Sequence, residues 1–127
     1  MIASDIMTQQ VYTILPDASV RDAANLLSQK RISGAPVVNA EGKMIGILTE
    51  ADIISKVNRE GLKVHEIMSR NITSVTEDTP VDEIALLMSE RKIKRVPVMR
   101  DDKLVGIVSR ADIVRAVAQG NLIIRPW

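Results

Sequence analysis

The sequence carries one chemically useful pattern twice, each time at the end of a short apolar run. The first copy reads GILTEAD and places Thr49 and Asp52 three positions apart. The second copy reads GIVSRAD and places Ser109 and Asp112 at the same spacing. An apolar run that ends in a hydroxyl residue, followed by an acid, predicts a strand that leads directly into a helix.

Two interpretations of this pattern remain open from the residues alone. A hydroxyl residue at a helix start, with an acid three positions later, resembles a capping box that satisfies free backbone N–H groups. The usual reciprocal partner in that box is Glu or Gln, because Asp is shorter. The second interpretation is a binding site, since a helix start directs N–H groups toward an anion such as phosphate. A carboxylate one turn further on can accept the hydrogens of a ribose diol.

Other chemistries have little material in this sequence. The chain of 127 residues has no cysteine and a single histidine, His65, which we expect on the surface of a short connecting helix. Disulfides, cysteine metal sites and thiol nucleophiles are therefore excluded, and we expect no enzyme, no metal and no catalytic cofactor. A net charge of +1 and two aromatic residues disfavour nucleic-acid binding. Neither a membrane-spanning run nor a signal-peptide pattern is visible, so we expect a cytoplasmic protein.

The pattern belongs to a longer internal duplication. Shifting the sequence by 61 residues places Pro36 on Pro97, and a one-residue deletion then changes the shift to 60, which aligns the two motifs. About a third of the aligned positions are identical, in order, along almost the whole chain. We therefore predict two repeats, residues 1–60 and residues 61–127, the second with a short C-terminal tail.

Each repeat predicts the order strand, helix, strand, strand, helix. The predicted elements are strands at 11–15, 35–39 and 43–49 and a last helix at 50–57, matched by 72–76, 96–100, 103–109 and 110–118. The first helix of each repeat shows apolar residues at i, i+3, i+4 and i+7 from Val20 and from Val81. A unit of about 60 residues is marginal alone. We therefore expect a mixed α/β (α+β) fold in which two β-α-β-β-α repeats pack about a pseudo-twofold axis, leaving two clefts for small ligands.

With these motifs in order, the chain resembles a tandem pair of cystathionine-β-synthase (CBS) domains, also called a Bateman module. The resemblance covers nearly all of the chain and rests on the duplicated segments Asp5-Ile6-Met7, Glu66-Ile67-Met68, Ala35-Pro36-Val37-Val38, Val96-Pro97-Val98-Met99 and the two motifs above. It implies a regulatory module that binds AMP, ADP, ATP or S-adenosylmethionine.

The resemblance also implies residue roles. Asp52 and Asp112 would hold the ribose hydroxyls, and Thr49 and Ser109 would contact phosphate. Residues around the second-strand proline would contact the base and phosphate. They are Ser33, Ala35 and Pro36 in the first repeat, and Lys94, Arg95, Val96 and Pro97 in the second. Arg110 would add a charge. By the family pattern, the Asp52 cleft borrows Lys94 and Arg95 from the other repeat, whereas the Asp112 cleft meets Ser33 and Gly34.

The family pattern further implies a homodimer formed through helices, and an effector protein that the sequence does not identify. The apolar tail Leu122-Ile123-Ile124, followed by Arg125-Pro126-Trp127, would contribute to such an interface or pack on its own chain. The alternative function is a ligand-free scaffold for dimerisation and protein interaction, in which the motif residues serve only as helix caps.

Overall fold

The structure, a computed structural model, describes residues 1–122. The predicted C-terminal tail from residue 123 onward lies outside the described residues. In chain order the elements are α1 (Ala3–Ile6), α2 (Val20–Lys30), β1 (Gly34–Val38), β2 (Met44–Thr49), α3 (Glu50–Ile54), α4 (Val64–Ile67), β3 (Val75–Thr76), α5 (Val81–Arg91), β4 (Arg95–Arg100), β5 (Lys103–Ser109) and α6 (Arg110–Ala118). The fold is a mixture of small sheets and helices, as the sequence predicts.

The predicted first strand of each repeat is largely absent. In the first repeat only Ile14 forms a bridge, parallel to Val37. In the second repeat Val75–Thr76 pairs with β4, also in parallel. Ile14 and Val75 are buried while their neighbours on both sides are exposed or half-buried, so a single inward side chain anchors each segment. The prediction of five-residue strands was wrong at these two places.

The remaining predicted elements are present. Strands β1 and β2 pair antiparallel, as do β4 and β5, and each pair has an irregular register near the second-strand valine. The helices α2 and α5 have eleven residues each and end at a left-handed residue, Arg31 with φ 53° and Lys92 with φ 55°. Helix α6 has its predicted bounds, whereas α3 ends at Ile54, three residues early, and continues as turns.

The chain forms two compact units whose boundaries differ from those of the sequence repeats. The Asp52 unit is Tyr12–Ile72, and the Asp112 unit combines Met1–Val11 with the chain from Thr73 onward. Each unit therefore takes its opening segment from the neighbouring repeat. In the Asp112 unit, the Thr8 backbone pairs with Ile107, with N–H to oxygen distances of 2.8 and 3.0 Å.

The same exchange occurs in the Asp52 unit. The Ser69 backbone pairs with Ile47 through two hydrogen bonds of 2.9 Å. Val64 and Met68, which the sequence assigns to the second repeat, lie in the core of the Asp52 unit at 0% and 8% exposure. The core of the Asp112 unit likewise includes Ala3, with Met7 packed against it.

A glycine in each motif makes this exchange possible. A Cβ atom at Gly46 would lie 2.6 Å from the Met68 sulfur and 2.9 Å from the Ser69 carbonyl oxygen. A Cβ atom at Gly106 would lie 2.5 Å from the Met7 sulfur. These approaches are too close for a side chain. The exchanged methionine therefore packs directly on the backbone of the strand that carries the glycine, β2 or β5.

Candidate functional site

The first motif lies where β2 passes into α3. The Thr49 backbone N–H donates to Asp52 Oδ2 at 2.9 Å, and the Thr49 hydroxyl donates to the same oxygen at 3.2 Å. Within the Asp52 unit, no hydrogen bond reaches the other carboxylate oxygen, Oδ1 of Asp52. Asp52 is half-buried. Its carboxylate therefore retains one oxygen that can accept hydrogen bonds from a ligand.

The second motif lies where β5 passes into α6, and it begins with the same contacts. The Ser109 backbone N–H donates to Asp112 Oδ2 at 2.8 Å and the Ser109 hydroxyl donates at 3.1 Å. The Asp112 backbone N–H returns a bond to the Ser109 hydroxyl at 3.3 Å. This reciprocal geometry is a capping box. Aspartate is therefore long enough to cap this helix. In the first motif only half of this geometry forms, because Thr49 donates to Asp52 but its side chain accepts no capping hydrogen bond.

The second motif then differs from the first at the other oxygen. Arg115 Nη1 donates to Asp112 Oδ1 at 3.1 Å, and the Thr8 hydroxyl donates to the same oxygen at 3.4 Å. Asp112 is 4% exposed and is the one buried charged side chain of the described residues. Both oxygens of Asp112 are therefore occupied within its own unit, whereas only one oxygen of Asp52 is.

The sequence analysis missed Thr8 and Arg115. Arg115 had a signal, because the 60-residue shift aligns it with Ser55 and shows a new cation one turn after the motif aspartate. Thr8 had none, since the repeat boundaries place it 104 residues from Asp112 and in the other repeat. Its contact depends on the exchanged opening segment.

The residues before the second-strand proline lie beside the motif of their own unit. The Lys94 carbonyl accepts the Arg110 N–H at 3.1 Å, and Arg95 pairs with Ser109 across β4 and β5. The Ser33 carbonyl accepts the Glu50 N–H at 2.9 Å in the same way. The side chains of Lys94 and Arg110 are exposed and line a groove of about 500 Å³. The predicted donation of Lys94 and Arg95 to the Asp52 cleft stays a prediction.

Four other predicted site residues are buried in the unit cores. Ala35 and Val96 are 1% and 0% exposed, and Pro36 and Pro97 are both below 2%. Their side chains pack inward because strands β1 and β4 are covered by helices and by the exchanged segments. The predicted contact of these residues with an adenine base stays a prediction.

Two described residues, Glu77 and Arg100, have shifted pKa values. The pKa of Glu77 is lowered chiefly by hydrogen bonds from Arg100, whose Nε and Nη2 lie 2.7 and 2.9 Å from the two carboxylate oxygens. The pKa of Arg100 is raised by the same contact. This pair is on the surface.

His65 is exposed on α4. Residues 1–122 contain no cluster of three His, Asp or Glu that could hold a metal.

Comparison with known families agrees with this architecture. The family model of the CBS domain matches residues 3–59 and 64–119. The chain therefore belongs to the CBS-domain family and contains the domain twice, which confirms the resemblance stated above. Residues 1–122 contain no helix that is both long enough and apolar enough to cross a bilayer.

Curated relatives include both enzymes and small proteins. The chain is 36% identical over 115 residues to L-aspartate semialdehyde sulfurtransferase of Methanocaldococcus jannaschii, a match that covers 90% of this chain and 23% of the relative. It is 33% identical over 113 residues to the CBS domain-containing protein YhcV of Bacillus subtilis, covering 86% of this chain and 80% of that protein. The chain thus spans about a quarter of the sulfurtransferase but most of YhcV.

Solved structures of CBS-domain pairs match the fold over nearly the whole chain. The CBS domain pair of protein MJ0100, in complex with 5′-methylthioadenosine and S-adenosyl-L-methionine, is 35% identical with a TM-score of 0.86. That match covers 94% of this chain and 98% of the solved domain pair. CBSX2 in complex with AMP is 29% identical with a TM-score of 0.87, covering 95% and 98% of the two chains.

Proposed function

We propose that this chain is a regulatory module that binds an adenosine-containing ligand, such as AMP or S-adenosylmethionine, and that it acts in the cytoplasm. The observation that carries the proposal is the Asp52 carboxylate. One of its oxygens fixes the start of α3, and the other accepts no hydrogen bond within the Asp52 unit. A ribose diol offers two O–H donors to such an oxygen.

The similarity to MJ0100 and CBSX2 supports the same ligand class, since those proteins were solved with adenosine derivatives. In the Asp112 unit, two exposed cations lie beside Ser109. Lys94 directly precedes β4 and Arg110 is the first residue of α6, and the Arg110 backbone N–H donates to the Lys94 carbonyl. Two cations at this point favour a ligand with phosphate groups. AMP therefore suits both the two cations and the ribose contact with the motif aspartate. S-adenosylmethionine, which has no phosphate, suits the ribose contact alone.

Isothermal titration of AMP, S-adenosylmethionine and 5′-methylthioadenosine tests the proposal. The variant Asp52→Ala removes the acceptor oxygen and should weaken binding at that site by at least about tenfold, because hydrogen bonds to a charged acceptor contribute about 1.5–3 kcal/mol. Glu50→Ala serves as the matched control, since it removes an exposed carboxylate two residues away. Absence of heat with all three ligands would contradict the proposal.

A scaffold function is the second candidate, and a specific surface feature favours it. Ile54 and Val57 of the Asp52 unit are 68% and 65% exposed, and Leu86 and Val114 of the Asp112 unit are 59% and 65% exposed. Three of these four residues lie in helices and Val57 follows α3. Large exposed apolar side chains on helices favour association with a second copy.

Sedimentation analysis of Val114→Lys tests this candidate, with Leu15→Lys as control because Leu15 is 60% exposed but outside the helices. We expect Val114→Lys to lower the mass from dimer to monomer and Leu15→Lys to leave it unchanged. A thermal-shift screen separates the two functions, since a ligand raises the Tm by mass action and a ligand-free scaffold shows no such rise.

We further propose that the chain has no catalytic activity of its own and controls the activity of an effector protein. The sulfurtransferase relative supports this, because the matched region is only 23% of its length. Its named reaction would then reside in the unmatched part. Assay of this chain alone for that activity should give no product.

A further inference from the structure

We propose that Arg115 closes the Asp112 site to ribose and so makes the two adenosine sites of the chain unequal. This inference rests on the proposed function, because it concerns access to one of the two motif aspartates. It assigns a specificity-determining role to Arg115, a residue outside both motifs.

The two motif carboxylates differ in the number of hydrogen bonds that they accept within their own units. A carboxylate has about four acceptor positions, two on each oxygen. On Asp112, Ser109 occupies both positions of Oδ2, and Arg115 and Thr8 occupy both positions of Oδ1. On Asp52, Thr49 occupies Oδ2 alone, so within its own unit the two positions of Oδ1 are available to two ribose hydroxyls.

The duplication shows which residue makes the difference. The 60-residue shift that aligns Asp52 with Asp112 also aligns Ser55 with Arg115. The Ser55 hydroxyl donates to the backbone oxygen of Asp52 at 2.8 Å and does not contact the carboxylate. The arginine instead donates to the carboxylate at 3.1 Å. A serine at this position leaves the motif acid open, and an arginine covers it.

The closure is reversible at low cost. The Arg115 side chain is 60% exposed, so its guanidinium can leave Asp112 and regain water. Exposed ion pairs are weak, which limits the penalty for displacing it to at most about fivefold in affinity. The Thr8 hydroxyl, at 3.4 Å, holds its position less tightly than Arg115 does. The Asp112 site therefore fills second, at higher ligand concentration than the Asp52 site.

The decisive experiment measures the Asp112 site alone, in the full chain that carries Asp52→Ala. The probe is 5′-methylthioadenosine, which has no phosphate and so reports the ribose contact without attraction to the arginine charge. We expect Arg115→Ser in this background to tighten binding by about two- to fivefold. Arg91→Ser is the matched control, because it removes an exposed arginine of the same unit at the end of α5. Asp52→Asn serves as a second background of equal side-chain size.

Each outcome decides the inference. Tighter binding with Arg115→Ser and unchanged binding with Arg91→Ser support it. Unchanged or weaker binding with Arg115→Ser overturns it while the proposed function stands, and a loss of AMP affinity alone would identify Arg115 as a phosphate ligand and also overturn it. Failure of the unmutated chain to bind any of the three ligands overturns the proposed function and this inference together. Far-ultraviolet circular dichroism confirms that each variant is folded.

Discussion

Replacing Asp112 by alanine is expected to destabilise the protein more than the same change at Asp52. Both substitutions remove the acceptor for an N-cap N–H and a hydroxyl, a loss of about 1 kcal/mol. At Asp112 the change also breaks the bond to Arg115, worth about 0.2–1 kcal/mol at this exposure. It further leaves a hole at a site only 4% exposed, at a cost of about 1 kcal/mol.

The expected losses in free energy of unfolding are therefore about 1 kcal/mol for Asp52→Ala and about 2–3 kcal/mol for Asp112→Ala. Urea denaturation measures both, and the Tm should fall by about 3–5 °C for each 1 kcal/mol in a chain of this length. Asp112→Asn, which keeps the volume and one acceptor, should lose an intermediate amount. Equal losses at the two aspartates, or a larger loss at Asp52, would refute the claim that the two carboxylates are engaged differently.

Three further predictions follow from the fold. Gly46→Ala should cost about 1–3 kcal/mol, seen by urea denaturation, because the new Cβ would lie 2.9 Å from the Ser69 carbonyl oxygen. The lowered pKa of Glu77 stabilises the folded chain above the ordinary value of 4.5, and this contribution is lost as pH falls through the folded pKa. The Tm advantage of the unmutated chain over Glu77→Gln should therefore shrink in acid. A fragment of residues 12–72 should fold and give a dispersed amide NMR spectrum. A fragment of residues 1–60 should not, because it lacks the buried core residues Val64 and Met68.

The sequence predicts much of this fold because its strongest signals are local. The helix at Val81 follows from apolar spacing, and the bounds of α6 follow from the motif that begins it. The short strands at Ile14 and Val75 were overestimated, since β-branched residues around them suggest a longer strand than one buried side chain can anchor. The duplicated motif also predicted that each aspartate lies in the first turn of a helix that directly follows a strand.

Local sequence patterns could not predict that Asp112 accepts more hydrogen bonds than Asp52 within its own unit. Whether an acid at a helix start has a free oxygen depends on side chains that reach it from elsewhere in the unit. Arg115 lies three residues from Asp112, and its effect becomes visible only when the second repeat is compared with Ser55 of the first. Thr8 reaches Asp112 from 104 residues away. No periodicity in the sequence encodes that contact.

The exchange of opening segments explains why duplicated motifs can acquire different properties. The Asp112 motif meets Thr8, which belongs by sequence to the first repeat, while the Asp52 unit receives Val64 and Met68 from the second. A substitution in one repeat therefore changes the surroundings of the motif in the other. Two copies of one sequence pattern can then diverge in ligand access while each keeps its helix cap. The hydrogen bond from the N-cap N–H to the motif aspartate is shared by both units. The contacts beyond it determine which aspartate keeps a carboxylate oxygen without a partner in its own unit.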